Sequence, residues 1–170
     1  AVLGLVAIWA TFAMSPVIFG TLCGLVISVA ALEWLNIAGH KTLLSRIIYV
    51  ALLWLIADLA LLYWQATLWI SAVFWVLAFI SLRLPLARLD VLKNPWVLLV
   101  LGYFTLVPAW VGLVLLHQTS HTMLFFLIMA VPFADTGAYF VGKYCGKHKM
   151  SPVLSPNKTY EGLAGSLVVG

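Results

Sequence analysis

Apolar residues dominate the chain in long blocks, and the polar positions fall almost wholly between them. Six apolar runs follow one another, Ala1–Phe19, Thr21–Ala38, Ile47–Leu62, Leu68–Leu82, Val97–Leu116 and Thr122–Val141, and a further helix is expected to begin near Pro156. A hydrocarbon core of about 30 Å takes about 20 apolar residues per helix. The pattern therefore predicts an all-α, polytopic transmembrane helical bundle of about six spans plus the start of a seventh. Several runs are short for a full crossing, and the flanking Trp34, Tyr63, Trp64, Trp69 and Trp96 are expected at headgroup level, extending the effective length. No internal repeat or low-complexity stretch interrupts the series, so one integral membrane domain over residues 1–170 is the economical reading.

Composition narrows the class further. Of 170 residues, 65% are hydrophobic and 8% charged, with a mean hydropathy of +1.14, far from soluble globular domains. The net charge of +4 does not point to nucleic acid, because the basic residues are spread over separate loops and form no continuous stripe. Their positions carry topology instead. Lys41 and Arg46 follow the second run, Arg83, Arg88 and Lys93 the fourth, and Lys143, Lys147, Lys149 and Lys158 the sixth. The other connections, "SPVIFG", "YWQATLW" and "HQTSH", hold no Lys or Arg. All nine basic residues then lie on one face, which the positive-inside rule makes cytoplasmic together with the N-terminus. Cys23 and Cys145 fit neither a CxxC pair nor a metal-ligand spacing and are expected to be free. The first run lacks a charged n-region and a cleavage signal, and "GLAGSLVVG" ends inside an apolar run, so the chain reads as a piece truncated at both ends.

The acidic residues are few: Glu33, Asp58, Asp90, Asp135 and Glu161. A carboxylate in a span costs about 2.5–3.5 kcal/mol at the helix centre on insertion scales and usually faces the bundle interior or a watery cavity. Asp135, late in the sixth run between Pro132 and Gly137, is thus a site candidate, against the plainer reading of a carboxylate paired with a neighbouring helix. Asp58 lies within a run with no motif around it, and both readings stand. Glu33 reads as an interfacial anchor or a partner of Lys41, and Asp90 as a solvated loop residue. His117 and His121 flank a turn, and their spacing would suit a metal only in a helix; His40 and His148 are lone loop residues. "GTLCG" is a GxxxG pattern, a sign of close helix packing or of a homodimer.

The stretch "SPNKTYEGLAGS" is the sharpest polar feature. Ser155 and Pro156 make a good helix start, as N-cap and first helical residue, which places Lys158 in the first turn against the helix dipole. An anion shared among the free backbone N–H groups, the Ser155 or Thr159 hydroxyl and the Lys158 ammonium would account for it. Glu161, three residues on, offers the plainer alternative of a local ion pair. The preceding loop adds Lys143, Lys147 and Lys149, which would attract polyphosphates or anionic headgroups, as would a generic cytoplasmic loop.

The stretch Ala134–Ser166, "ADTGAYFVGKYCGKHKMSPVLSPNKTYEGLAGS", closely resembles the middle region of bacterial phosphatidate cytidylyltransferases, or CDP-diacylglycerol synthases. In that family a D-[ST]-G-A-Y element precedes a K-x-x-G-K-[HR]-[KR] loop and an S-P-x-K-T-x-E-G element. "EWLNIAG", Glu33 to Gly39, is also similar to a short family element. On this resemblance residues 1–133 are N-terminal spans and 134–170 a motif region incomplete at its C-terminal end. The resemblance implies an enzyme of the bacterial inner membrane that joins CTP to phosphatidate, giving CDP-diacylglycerol and diphosphate and requiring Mg²⁺. It further implies Asp135, Lys158 and Glu161 as catalytic residues, Ser155, Thr159, Lys143 and Tyr139 as substrate-binding residues, and Asp135 as a metal ligand. The family's "GHGG" and Asp-Arg-x-Asp signature is absent from this sequence, so the 170-residue chain by itself is expected not to turn over CTP. Two readings compete with the enzyme. One is a transporter or channel subunit with Asp58 and Asp135 on an ion path; the other is a membrane scaffold with no site.

Overall fold

The computed structural model describes the backbone of residues 2–83, 94–151 and 155–170, and side-chain surroundings for 8–80, 94–150 and 158–170. Arg88, Asp90 and Lys93 lie outside the described residues, and the side chains of Arg83 and Ser155 lie outside the described surroundings. The elements run α1 (Val2–Ala13), α2 (Pro16–Ile37), α3 (Leu43–Leu62), α4 (Trp64–Arg83), α5 (Pro95–Thr119), α6 (His121–Cys145), β1 (Lys149–Ser151), β2 (Ser155–Thr159) and α7 (Tyr160–Val169). The helices α2, α3, α5 and α6, of 20 to 25 residues, are each long and apolar enough to cross a membrane, since 1.5 Å per residue gives lengths of about 30–38 Å. The protein is a multi-pass helical membrane protein.

Helix boundaries differ from the apolar runs wherever capping chemistry outweighs hydropathy. The first run breaks at Ser15 rather than near Gly20, because Ser15 is an extended N-cap whose hydroxyl accepts the Ile18 amide and Pro16 opens α2. Gly20 lies buried inside α2. Thr42 caps α3 four residues ahead of the expected start, accepting the Ser45 amide at 3.3 Å, and Gly39 takes a left-handed φ of 82° as the chain leaves α2. The expected loop "YWQATLW" contracts to Tyr63, with the Thr67 hydroxyl bonded back to the Ala60 and Tyr63 carbonyls. "HQTSH" is helical as far as Thr119, and Ser120 caps α6. His117 is accordingly no turn residue: it is fully buried and stacks on Phe19 with ring centroids 4.1 Å apart.

Two compact units are present, Met14–Thr119 and Ala1–Ala13 with Ser120–Gly170. In the first, α5 packs against α2, α3 and α4 around a core that includes Leu35, Tyr49, Leu53, Val107, Trp110 and Val111. Polar tips of large aromatics tie these helices by bonding across them. Trp34 Nε1 donates to the Leu98 carbonyl at 2.6 Å, Tyr49 Oη to that of Leu99 at 3.0 Å, and Trp110 Nε1 to that of Gly20 at 2.9 Å. Tyr63, Trp64, Trp69 and Trp96 are exposed, as headgroup anchors would be, but Trp34 turns into the bundle. The GxxxG pair is used within the chain: a Cβ on Gly20 would stand 3.4 Å from Val114, and one on Gly24 would collide with Trp54. That packing bears out the close-packing reading of the pattern. Trp110→Ala is expected to destabilise this unit by about 3–5 kcal/mol, and Trp110→Phe by about 0.6–1.7 kcal/mol for the lost hydrogen bond. Denaturant titration of the helical circular dichroism in detergent measures both.

In the second unit α6 and α7 pack along a seam of glycines, and α1 meets α6 through Phe12 against Phe125. Pro132 does not break α6, which continues to Cys145, and the Thr136 hydroxyl bonds the Pro132 carbonyl at 2.6 Å. Gly137 serves close packing, since a Cβ there would come within 2.6 Å of the Gly165 carbonyl. Cys23 and Cys145 are both free.

Candidate functional site

The four-residue spacing of Asp135, Tyr139 and Lys143 puts three polar side chains in one stripe along α6. In this structure the stripe forms one wall of a cavity of about 830 Å³. Lys158 and Thr159 of β2 and Ser166 of α7 supply the facing polar groups, while Ala134, Ala138 and Leu163 make the lining partly apolar. Five of the seven expected site residues are thus brought to one groove. Lys143, expected in a loop, stands on the last turns of α6; its Nζ is 3.4 Å from the Tyr139 hydroxyl and 5.5 Å from that ring's centroid. The contact steadies the ammonium without neutralising it.

The start of the last helix departs from expectation. Ser155 and Pro156 lie in β2, which pairs antiparallel with β1 in the register Lys149↔Thr159 and Ser151↔Ser155, and α7 begins at Tyr160. Proline has no N–H to give a ladder, yet it is tolerated in a two-stranded hairpin, where every strand is an edge. The cap is Thr159, whose Oγ1 accepts the Gly162 amide at 3.1 Å. Lys158 therefore precedes the helix instead of standing in its first turn, while Glu161 occupies that turn, where a carboxylate is favoured.

Two expectations are corrected by this geometry. The N-terminus of α7 is not a fully open phosphate cradle, because two of its N–H groups are already used. The Tyr160 amide donates to the His148 carbonyl at 3.0 Å, and the Gly162 amide to Thr159. Nor do Lys158 and Glu161 share a helix face. The Glu161 carboxylate instead turns to His148, accepting from Nδ1 at 2.7 Å and from the backbone amide at 3.2 and 3.3 Å. The sequence reading missed this role of His148 because thirteen residues separate the pair. It also missed Ser166, which was legible: positions 159, 162 and 166 share one face of a helix that starts at Tyr160.

The hydrogen bond from His148, supported by Glu161's own amide and those of His148 and Lys147, lowers the Glu161 carboxyl to about 2 from an ordinary 4.5. A depressed carboxyl stabilises the folded state fully above its unfolded value, progressively less as pH falls below about 4.5, and not at all below about 2. The Glu161 carboxyl carbon is expected to titrate near 2 by NMR and to move up toward 4.5 in His148→Ala. Titration at 4.5 in the unsubstituted protein would contradict the pairing.

Comparison with known proteins decides the family. A model of the cytidylyltransferase family matches residues 1–170. The chain belongs to that family. Among its cytidylyltransferase relatives, the phosphatidate cytidylyltransferase of Pseudomonas aeruginosa is 33% identical over 95% of this chain and 62% of its own length. That of Haemophilus influenzae is 29% identical over 94% and 63%, and that of Bacillus subtilis 35% identical over 55% and 38%. The chain thus spans less than two thirds of these relatives' lengths. No solved structure matches it significantly.

Proposed function

We propose that this protein is a phosphatidate cytidylyltransferase, a nucleotidyltransferase that makes CDP-diacylglycerol and diphosphate from CTP and phosphatidate. A phosphate oxygen of phosphatidate attacks the α-phosphorus of CTP, and the bond from that phosphorus to the β-phosphate's bridging oxygen breaks. Both reactants are anionic, so the protein's work is charge neutralisation and alignment for in-line displacement. The observation that carries the reading is the groove in which Lys143 and Lys158 face one cavity with Asp135 and a partly apolar wall. The lysines neutralise phosphate oxygens, Tyr139 and Thr159 offer hydroxyl donors, and Ala134, Ala138 and Leu163 accept the glycerol end of the lipid.

The donor set suits Mg²⁺ arriving with a nucleotide. Asp135 is the carboxylate on the cavity wall, Glu161 being held by His148, and among the described residues no three His, Cys, Asp or Glu side chains cluster. One carboxylate plus phosphate oxygens and water is how Mg²⁺ is commonly held, and when bound it would offset charge on the phosphates. The proposed orientation places the groove at the cytoplasmic face of the inner membrane, where CTP is found. It is supported by the alternation of basic and Lys/Arg-free connections, and the exposed apolar sides of the spans meet membrane lipid. The transporter reading has no observation in its favour. Asp58 is exposed on α3, in the other unit from Asp135.

The test is an assay of the protein at its full natural length, rather than of these 170 residues alone, in detergent with CTP, phosphatidate and Mg²⁺, following CDP-diacylglycerol and diphosphate together. Stoichiometric products are expected, with kcat lowered about 10²-fold or more in Asp135→Asn, the scale for removing a charge-stabilising group. No product, or an Asp135→Asn variant as fast as the parent, overturns the proposal.

A further inference from the structure

We infer that Glu161 is a positioning residue, which acts through His148 to hold the Lys158 hairpin against the groove. The inference rests on the cytidylyltransferase reading for its kinetic consequence, and on geometry for the rest. The segment from His148 to Glu161 leaves the end of α6, forms β1 and β2 and enters α7. Its C-terminal end is fixed by covalent continuity with α7, where Thr159 is buried as the cap. Its N-terminal end follows α6 by three residues and meets α7 only through non-covalent contacts, the Lys149↔Thr159 pairing of the hairpin and the bonds of His148, to which Glu161 contributes the side-chain tie. The carboxylate takes the His148 amide on both oxygens and the His148 ring on one, while the Tyr160 amide takes the His148 carbonyl.

Both ends of the segment are thereby fixed at the first turn of α7, and what lies between them includes Met150 and Lys158 of the groove wall. Glu161 is not on that wall. With a carboxylate as partner, which can only accept, Nδ1 carries a proton in this contact. A closed segment offers Lys158 to a phosphate without first being ordered, so opening it should raise the cost of binding and leave the chemical step alone. A carboxylate that touched substrate or metal would do the reverse.

Four forms of the intact protein test this: the parent, His148→Ala, His148→Asn and Glu161→Gln. His148→Ala removes the ring bond from a largely exposed side chain (78%), so a rise of about threefold in KM for CTP is expected, with kcat within twofold. Amide exchange between residues 146 and 159 should quicken in the same variant, and His148→Asn, whose side-chain amide can replace Nδ1–H, should restore both. Glu161→Gln should resemble His148→Ala or exceed it, again in KM. Unchanged KM and exchange in His148→Ala would overturn the inference. So would a Glu161→Gln variant that loses kcat and shifts its Mg²⁺ dependence while His148→Ala is silent. A parent protein that makes no CDP-diacylglycerol would refute the cytidylyltransferase reading instead, and the exchange comparison would still decide whether the tie exists.

Discussion

Lys158→Met is expected to lower kcat/KM for CTP by about 10²–10³-fold, the range seen when a group aimed at developing negative charge is removed. Lys158 is exposed, and it stands on the cavity wall opposite the α6 stripe that carries Asp135 and Lys143. Methionine keeps most of the aliphatic stem and deletes the charge. The loss should therefore appear in kinetics and not in folding. Lys158→Arg should recover part of the rate, since its charge is the same and its fork is differently shaped. Steady-state kinetics beside a thermal unfolding curve checks both halves. A change below threefold would remove Lys158 from the charge-neutralising role.

The second large effect concerns a residue with no side chain. A Cβ at Gly165 would lie 2.6 Å from the Val141 Cβ and 2.7 Å from the Gly137 carbonyl, and Gly137 presents the reciprocal clash. Backbone faces backbone there, so neither neighbour can swing away. Gly165→Ala is expected to cost about 1–3 kcal/mol through overpacking, and to separate α7 from α6, which would spoil the groove as well. Gly112, in the middle of α5, makes the contrast, since nothing lies within 4 Å of its Cβ position. The same change there should be stabilising by up to about 1 kcal/mol, because alanine is the better helix former. Denaturant unfolding of the two variants in detergent should show opposite signs. A Gly165→Ala protein as stable as the parent would mean that the seam yields.

Much of the site was legible because its determinants are local. Asp135 and Tyr139 fall within the apolar run that predicts α6, while Lys143, expected in a loop, joins their four-residue stripe only because the helix continues past Val141 to Cys145. Lys158 and Thr159 were also found, but for a reason that did not survive: a lysine against a helix dipole is a local inference, and it failed when the helix proved to start at Tyr160. Ser155–Pro156 carries a strong start signal. It yielded because β1 and β2 pair in the hairpin, and Thr159 then offered a cap at the hairpin's end.

The amino-acid sequence by itself determined a helical bundle within a membrane and the polar residues at the end of its sixth apolar run, Asp135 among them. Each of these follows from hydropathy and helical period over a few turns of chain. Tertiary structure alone decided that Glu161 serves His148 rather than Lys158, that the Tyr160 amide at the N-terminus of α7 is engaged by His148, and that glycines bring α6 and α7 together. Those outcomes depend on groups 12 to 28 residues apart, such as His148 with Tyr160 and Gly137 with Gly165. No periodicity records such pairs; only close packing and the need to satisfy each polar group bring them together.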